Sequence, residues 1–440
     1  MRDRYLIRQL TQLGLTVNAI RPVPGGPASV PAFFAGWLTA ELAPQLLAAT
    51  ALDTGVHLSR RAATGVRGRG EALALAAALA NAGGLAALVA AGGKAKGEVQ
   101  RALAEALGPD YALHLGHPTD PADLATPWRQ LMMPFRMHNI DVVTERNLAY
   151  APGGRRFTLD VYHHRDMPTG LPVLLQVHGG AWMIGNKEQQ GLPLMLQMAS
   201  HGWVCVAINY PLSPRARWPA HLVALKRATA WIRENIARFG GDPSFVAVTG
   251  GSAGGHLAAM LALTAPDRTL QPGFEDADTS VQACVPHYGV YDFTAESGSK
   301  HSQQTVDSLL RPRVMARDAR YPEDYRAASP ISRIDGAGDI PPFFVLHGRN
   351  DTLVPVAEAR AFVDKLRAAS HNPVAYAEIS GAQHAFDIFP SIRSAHVVRG
   401  VQRFLDWTYY RAKTGSAKAA EQAPATGPDP ARADERSHTG

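Results

Sequence analysis

Cysteine is almost missing from this chain: Cys205 and Cys284 are the only two in 440 residues. Two thiols, each inside a strand-like apolar run, cannot make a disulfide framework or a zinc site, so they read as small buried side chains. His-x-x-x-His spacing, a Walker phosphate loop and a Gly-x-Gly-x-x-Gly element are missing too, and neither a metal nor a cofactor is expected. Charge is scarce, at 19% of residues against 46% hydrophobic, which excludes a solvated disordered chain and leaves material for a sizeable core. Acidic residues are rarest at the N-terminus, where residues 1–101 hold 11 Lys and Arg but only 5 Asp and Glu; the remainder balances. These basic residues flank apolar stretches and are not interleaved with aromatics, so nucleic acid is not an expected partner.

What is present begins with Gly250-Gly251-Ser252-Ala253-Gly254. It follows the apolar run Phe245 to Val248 and precedes His256 to Leu263, which reads as a helix. A strand turning sharply into a helix exposes its central hydroxyl, and flanking glycines leave room for the strained turn. Three further parts stand in order along the chain. Val173 to Val177 runs into His178-Gly179-Gly180-Ala181-Trp182, where backbone N–H groups can face a developing oxyanion. Pro342 to Gly348 reads as a buried strand and leads to Asp351. Val374 to Ile379 leads to the loop holding His384. Each candidate lies just past a strand, in the order Ser, Asp, His.

The chemistry needs these residue types. A serine hydroxyl is a weak nucleophile until an imidazole takes its proton, and a carboxylate behind the imidazole fixes the tautomer and steadies the imidazolium. The tetrahedral intermediate then needs preset N–H donors. The expected catalytic residues are Ser252, Asp351 and His384, with oxyanion donors drawn from Gly179, Gly180, Ala181 and Ala253. Asp387, three residues past His384, is a rival acid, disfavoured because it follows the base in sequence and does not close a strand. His287 and His347 lie in or at the end of strand-like runs and read as core histidines. Trp182 and Tyr210 are candidates for the substrate pocket or for bracing the loop.

From about Asn147 to Thr408 the chain resembles the hormone-sensitive-lipase-like esterases of the α/β-hydrolase fold, in their actinobacterial form. The resemblance is carried by the 178–182 and 250–254 motifs, Asn209 to Pro214, Gly240-Gly241-Asp242-Pro243, His347 to Asp351 and the His384 loop. It implies an α/β class with a mostly parallel sheet, a carboxylic ester hydrolase acting on short to medium acyl esters of small molecules or lipids, and a His178 that shapes the oxyanion loop. Two positions depart from the pattern. Ala181 stands where the family has a third glycine, and Gly251 where it often has an acid. The first leans toward relatives that include feruloyl esterases and arylformamidases, so an amidase is the alternative. A non-catalytic membrane-anchored scaffold on the same fold is the reading from another class.

The organisation expected is a hydrophobic helical region over 1–96, a connecting or cap segment over 97–146, the hydrolase over 147–413 and a disordered tail over 414–440. Ser29 to Leu52 and Ala72 to Gly93 are each long and apolar enough to cross a bilayer. One reading makes them a membrane hairpin with the loop of Arg60, Arg61, Arg67 and Arg69 inside and the hydrolase outside. A second makes them buried or interfacial helices forming a cap near the active-site mouth. A cleaved signal peptide fits poorly, because residues 1–28 carry scattered charge and no apolar centre. Membrane association is the localisation adopted, with a cytoplasmic enzyme as the alternative. Tyr291 to Asp339 is a long insertion without clean periodicity, of a kind that can cover an acyl pocket. No internal repeat is found, and the motifs are silent on oligomeric state.

Overall fold

Eight strands form one sheet in a computed structural model that describes residues 4–23, 29–65, 70–116, 124–296 and 300–422. They are β1 (Val142–Ala149), β2 (Thr158–His164), β3 (Leu171–Val177), β4 (Val204–Ile208), β5 (Gly241–Gly251), β6 (Ala283–His287), β7 (Phe343–Gly348) and β8 (Val374–Ile379). Their spatial order is β1-β2-β4-β3-β5-β6-β7-β8. β2 is antiparallel to both neighbours, and every pair from β4 to β8 is parallel. This is the α/β-hydrolase sheet the motifs predicted.

The helices are α1 (Arg4–Ile20), α2 (Ser29–Glu41), α3 (Ala43–Thr64), α4 (Glu71–Leu107), α5 (Trp128–Leu131), α6 (Leu192–Ser200) and α7 (Ala220–Asn235). After them come α8 (Ala253–Leu263), α9 (Lys300–Thr305), α10 (Glu323–Ala327), α11 (Pro330–Arg333), α12 (Val356–Ala369) and α13 (Ile392–Gln422). The period-two alternation of the strands divides the core. Val173, Leu175 and Val177 of β3 join Leu225 and Ile232 of α7, Leu257 of α8 and Phe362 of α12 in one cluster. Leu174 joins Met195 of α6, Val99 and Leu103 of α4, and Val401 and Phe404 of α13 in the other. Parallel strands buried on both faces read as unbroken apolar runs for this reason.

The insertion is largely built into the first of these clusters. Tyr291 stacks on Phe362 at 4.2 Å, and Val306, Leu310 and Val314 are buried among core residues. His256 of α8 ties down its far end through Nε2, 2.8 Å from the Ala328 carbonyl.

At the N-terminus the expected boundary between residues 96 and 97 falls inside α4, which runs unbroken from Glu71 to Leu107. The second half of this helix supplies core to the hydrolase, and the helix as a whole packs against α1, α3, α13 and β8. It is the one helix among the described residues long and apolar enough to span a bilayer. The other expected span, Ser29 to Leu52, is not one helix. It divides at Leu42, because Pro44 in the first turn of α3 has no N–H to continue the ladder of α2. Glu41, at the end of α2, is buried against Arg393 at 2.5 Å and accepts from the Ser391 hydroxyl at 2.6 Å. Burial raises the pKa of this carboxyl, and the Arg393 guanidinium offsets part of that rise. An α2 that crossed a bilayer would separate Glu41 from Arg393. Arg67 and Arg69 lie outside the described residues. At the other end α13 continues past Lys413 to Gln422, where the sequence predicts a disordered tail from 414; residues 423–440 lie outside the description.

Removing one member of a buried ion pair leaves the other charge uncompensated. Glu41→Ala should lower the unfolding free energy by about 3 kcal/mol in urea titration, and the double variant with Arg393→Met should recover part of it. An unchanged transition midpoint would show that α2 is not held on the hydrolase.

Candidate active site

β5 ends at Gly251 and α8 begins at Ala253, so Ser252 makes the turn alone, with φ 59° and ψ −121°. Such a conformation costs a non-glycine residue about 1–3 kcal/mol and persists only when its surroundings enforce it. Here the Ser252 N–H donates to the His287 carbonyl at 3.0 Å, and the Ser252 carbonyl accepts from the His256 N–H at 3.0 Å. The turn also lies tight against the end of β3. A Cβ on Gly254 would stand 2.1 Å from the Val177 carbonyl oxygen, and one on Gly179 would stand 2.5 Å from that of Gly251.

Asp351 follows β7, and its carboxylate is buried. Its Oδ1 accepts the N–H groups of Leu353 and Val354 at 2.8 Å each. Its Oδ2 faces His384 Nδ1 at 2.7 Å and His347 Nε2 at 3.3 Å. Burial alone would raise its pKa, but the two imidazoles outweigh burial and hold it below the usual carboxylate range. The pairing therefore contributes stability through neutral pH and loses it as the pH falls toward the depressed folded value. With Nδ1 of His384 committed to the carboxylate, Nε2 remains for proton exchange. The His384 ring lies between Tyr288, at 4.7 Å between centroids, and the edge of Phe33 from α2, at 6.0 Å.

The rival acid is engaged elsewhere. Asp387 Oδ2 lies 2.6 Å from His287 Nδ1, and its Oδ1 accepts from the Tyr288 hydroxyl. His347 is buried as expected, yet it also touches Asp351, which its strand position did not announce.

In the oxyanion loop, Gly180, Ala181 and Trp182 have φ of 111°, 52° and 58°. Successive positive angles turn backbone N–H groups into a concave nest suited to negative charge. Among the described residues no acceptor takes the N–H of Gly180 or Ala181. Gly179 drops out of the expected donor set, because its N–H donates to Gln190 Oε1 at 2.7 Å. Ala253, as the first residue of α8, has no partner for its N–H within the helix.

His178 and Tyr210 brace the loop from below. Their rings stack at 4.3 Å, the Tyr210 hydroxyl donates to the His178 carbonyl at 2.8 Å, and burial pushes the His178 imidazole down to about 4. Trp182 is turned inward, with Nε1 donating to His256 Nδ1 at 3.3 Å and the ring edge-on to Phe293. Both aromatics proposed for the substrate pocket are thus fully buried supports of the loop. Besides Tyr288, the aromatic that reaches His384 is Phe33, which escaped sequence analysis. Its one signal was its position in the Ser29 to Leu52 run.

The BD-FAE family matches residues 159–366 of this chain. The chain is 42% identical to the probable carboxylic ester hydrolase LipM of Mycobacterium tuberculosis over 94% of its own length and 96% of that protein's. The chain belongs to the hormone-sensitive-lipase-like carboxylic ester hydrolases. It is also 46% identical to esterase LipQ of the same organism, over 70% of this chain and 74% of LipQ. Esterase B from Lactobacillus rhamnosis shares the fold, with a TM-score of 0.54 at 18% identity over 64% of this chain and 91% of that one.

For this hydrolase the Asp351 and His384 contact defines a first test. Asp351→Asn keeps the shape of the side chain but offers His384 Nδ1 the wrong partner, and kcat should fall by about 10⁴-fold with little change in KM. Turnover of a p-nitrophenyl ester measures it. A fall of less than tenfold would remove Asp351 from the acid role.

Proposed function

We propose that this esterase cleaves short to medium acyl esters through a Ser252, His384 and Asp351 triad. The observation that carries the reading is the strained Ser252 turn on the same sheet edge as the 2.7 Å His384 and Asp351 pair. Ser252 Oγ attacks the acyl carbon as His384 Nε2 takes its proton, and Asp351 holds the imidazolium that forms. The N–H groups of Gly180, Ala181 and Ala253 receive the oxyanion. His384 then protonates the leaving alcohol, and water activated by the same nitrogen releases the acid.

The N-terminal helices enter this proposal as the cap. Phe33 brings α2 to the edge of His384, and Trp37 packs on Phe389 at 5.4 Å, which Phe135 meets from the other side at 5.1 Å. Around this cluster Val30, Phe34, Leu38, Met132, Met133 and Phe135 are exposed. A contiguous apolar surface of this kind suits a lipid interface. We place the enzyme on a membrane surface, with these residues against the lipid and the acyl chain entering past Phe33. The basic excess of residues 1–101 favours an anionic bilayer.

Three outcomes are expected. Ser252→Ala should abolish both turnover of a p-nitrophenyl series from acetate to palmitate and labelling by a fluorophosphonate; near-parental turnover would end the triad reading. Phe33→Ala should shift the preferred acyl length and leave acetate turnover within about threefold. An unaltered chain-length profile would take α2 out of the acyl site. Phe34→Asp with Met133→Asp should reduce sedimentation with vesicles of phosphatidylcholine and phosphatidylglycerol while acetate turnover stays parental. Equal vesicle binding by parent and variant would remove the membrane surface from this face.

A further inference from the structure

The end of β6 carries two side chains that the reaction above does not use, His287 and Tyr288. Both are buried, and both hold Asp387, which lies three residues beyond His384 in the same loop. His287 Nδ1 lies 2.6 Å from Asp387 Oδ2, and the Tyr288 hydroxyl donates to Oδ1. The same two residues reach the serine turn, His287 at Ser252 and Tyr288 at Gly251. The His287 carbonyl accepts the Ser252 N–H at 3.0 Å, and the Tyr288 hydroxyl fills the space a side chain at Gly251 would need, 2.7 Å from where its Cβ would stand. The Tyr288 ring lies 4.7 Å from the ring of His384, and the Tyr288 N–H donates to Leu346 of β7 at 2.6 Å.

The topology shows why such a bridge has work to do. β5 carries Ser252 and β8 leads to His384, and two strands stand between them. No ladder bond sets one loop against the other. Tyr288 has φ 38°, an outlier for an aromatic residue, and Ala385 beside the histidine has φ 60°. Strain at two points and a largely, though not fully, enclosed carboxylate are a poor choice for stability alone, since a packed apolar core would serve as well. They suit a device that fixes one geometry. Gly251 also gains its reason: lacking a side chain, it admits Tyr288, and the carboxylate that Tyr288 holds comes from the histidine's own loop.

We infer that His287, Tyr288 and Asp387 form a clamp that sets the His384 imidazole against Ser252. They are positioning residues and touch no substrate. The inference rests on the triad proposed above.

The test uses the full chain with Tyr288→Phe, Asp387→Asn and Asp351→Asn, measuring kcat and KM for p-nitrophenyl butyrate per site titrated by a fluorophosphonate, with Ser252→Ala as the unlabelled blank assayed per mole of protein. Misplacing a general base by a fraction of its working distance is costly, so each clamp variant should lower kcat about tenfold or more and slow labelling in parallel, with KM within about twofold. Counting only titrated sites removes unfolded protein from the comparison. If both clamp variants keep kcat per titrated site within twofold while Ser252→Ala and Asp351→Asn are inactive, the clamp is wrong and the triad stands. If Asp387→Asn is inactive and Asp351→Asn is parental, Asp387 is the acid itself, and clamp and triad assignment fall together.

Discussion

Two turns at neighbouring strand ends come so close that only glycine can line them, and the active centre depends on that approach. Gly179 and Gly254 lie between the ends of β3 and β5, where a Cβ would overlap a backbone oxygen. Their closeness brings the oxyanion loop over the serine turn, so the nucleophile and the proposed N–H donors share one small volume. Hydrogen bonds from neighbouring elements then hold Ser252 in a conformation it would not keep alone. The strain is local, and the parallel sheet beneath it, buried on both faces, is rigid enough to maintain it.

Three carboxylates around the site are each held in company. Asp351 has two backbone donors and two imidazoles; Asp387 has an imidazole and a phenol; Glu41 has a guanidinium and a hydroxyl. Each carboxylate ties segments far apart in sequence. Burial makes each pair costly to break from one side, so these contacts define the geometry around the site more sharply than apolar packing would. Four histidines around the site divide in a similar way: His384 is the one proposed for proton exchange, His347 lies behind Asp351, His287 beside Asp387, and His178 supports the loop after β3.

The N-terminal helices change meaning between one dimension and three. As a string, residues 29–52 and 72–93 satisfy the length and composition of membrane spans. Folded, they lie across the hydrolase, and α4 places Val99 and Leu103 in the core while α2 places Phe33 at the histidine. Apolar composition states that a surface must be covered and leaves open what covers it. Here part of it is covered by the protein itself, while Val30, Phe34, Leu38, Leu52, Leu73 and Leu79 remain exposed.

The sequence by itself determined the fold class, the alternation of strands and helices along the chain, and the choice of Ser252, Asp351 and His384 as the candidate set. These signals are local: a turn between glycines, an apolar run ending in a polar residue, a loop after a strand. Three features were decided only by tertiary structure. Gln190 takes the Gly179 N–H, Trp182 and Tyr210 face inward instead of lining a pocket, and Asp387 turns to His287 and Tyr288 instead of His384. Which of two nearby carboxylates meets an imidazole depends on the direction a side chain leaves its loop. Contacts such as Glu41 with Arg393, more than 350 positions apart, leave no periodicity or spacing in the chain. Motifs record what a backbone must do locally, and the pairing of distant side chains exists only once the sheet has brought them together.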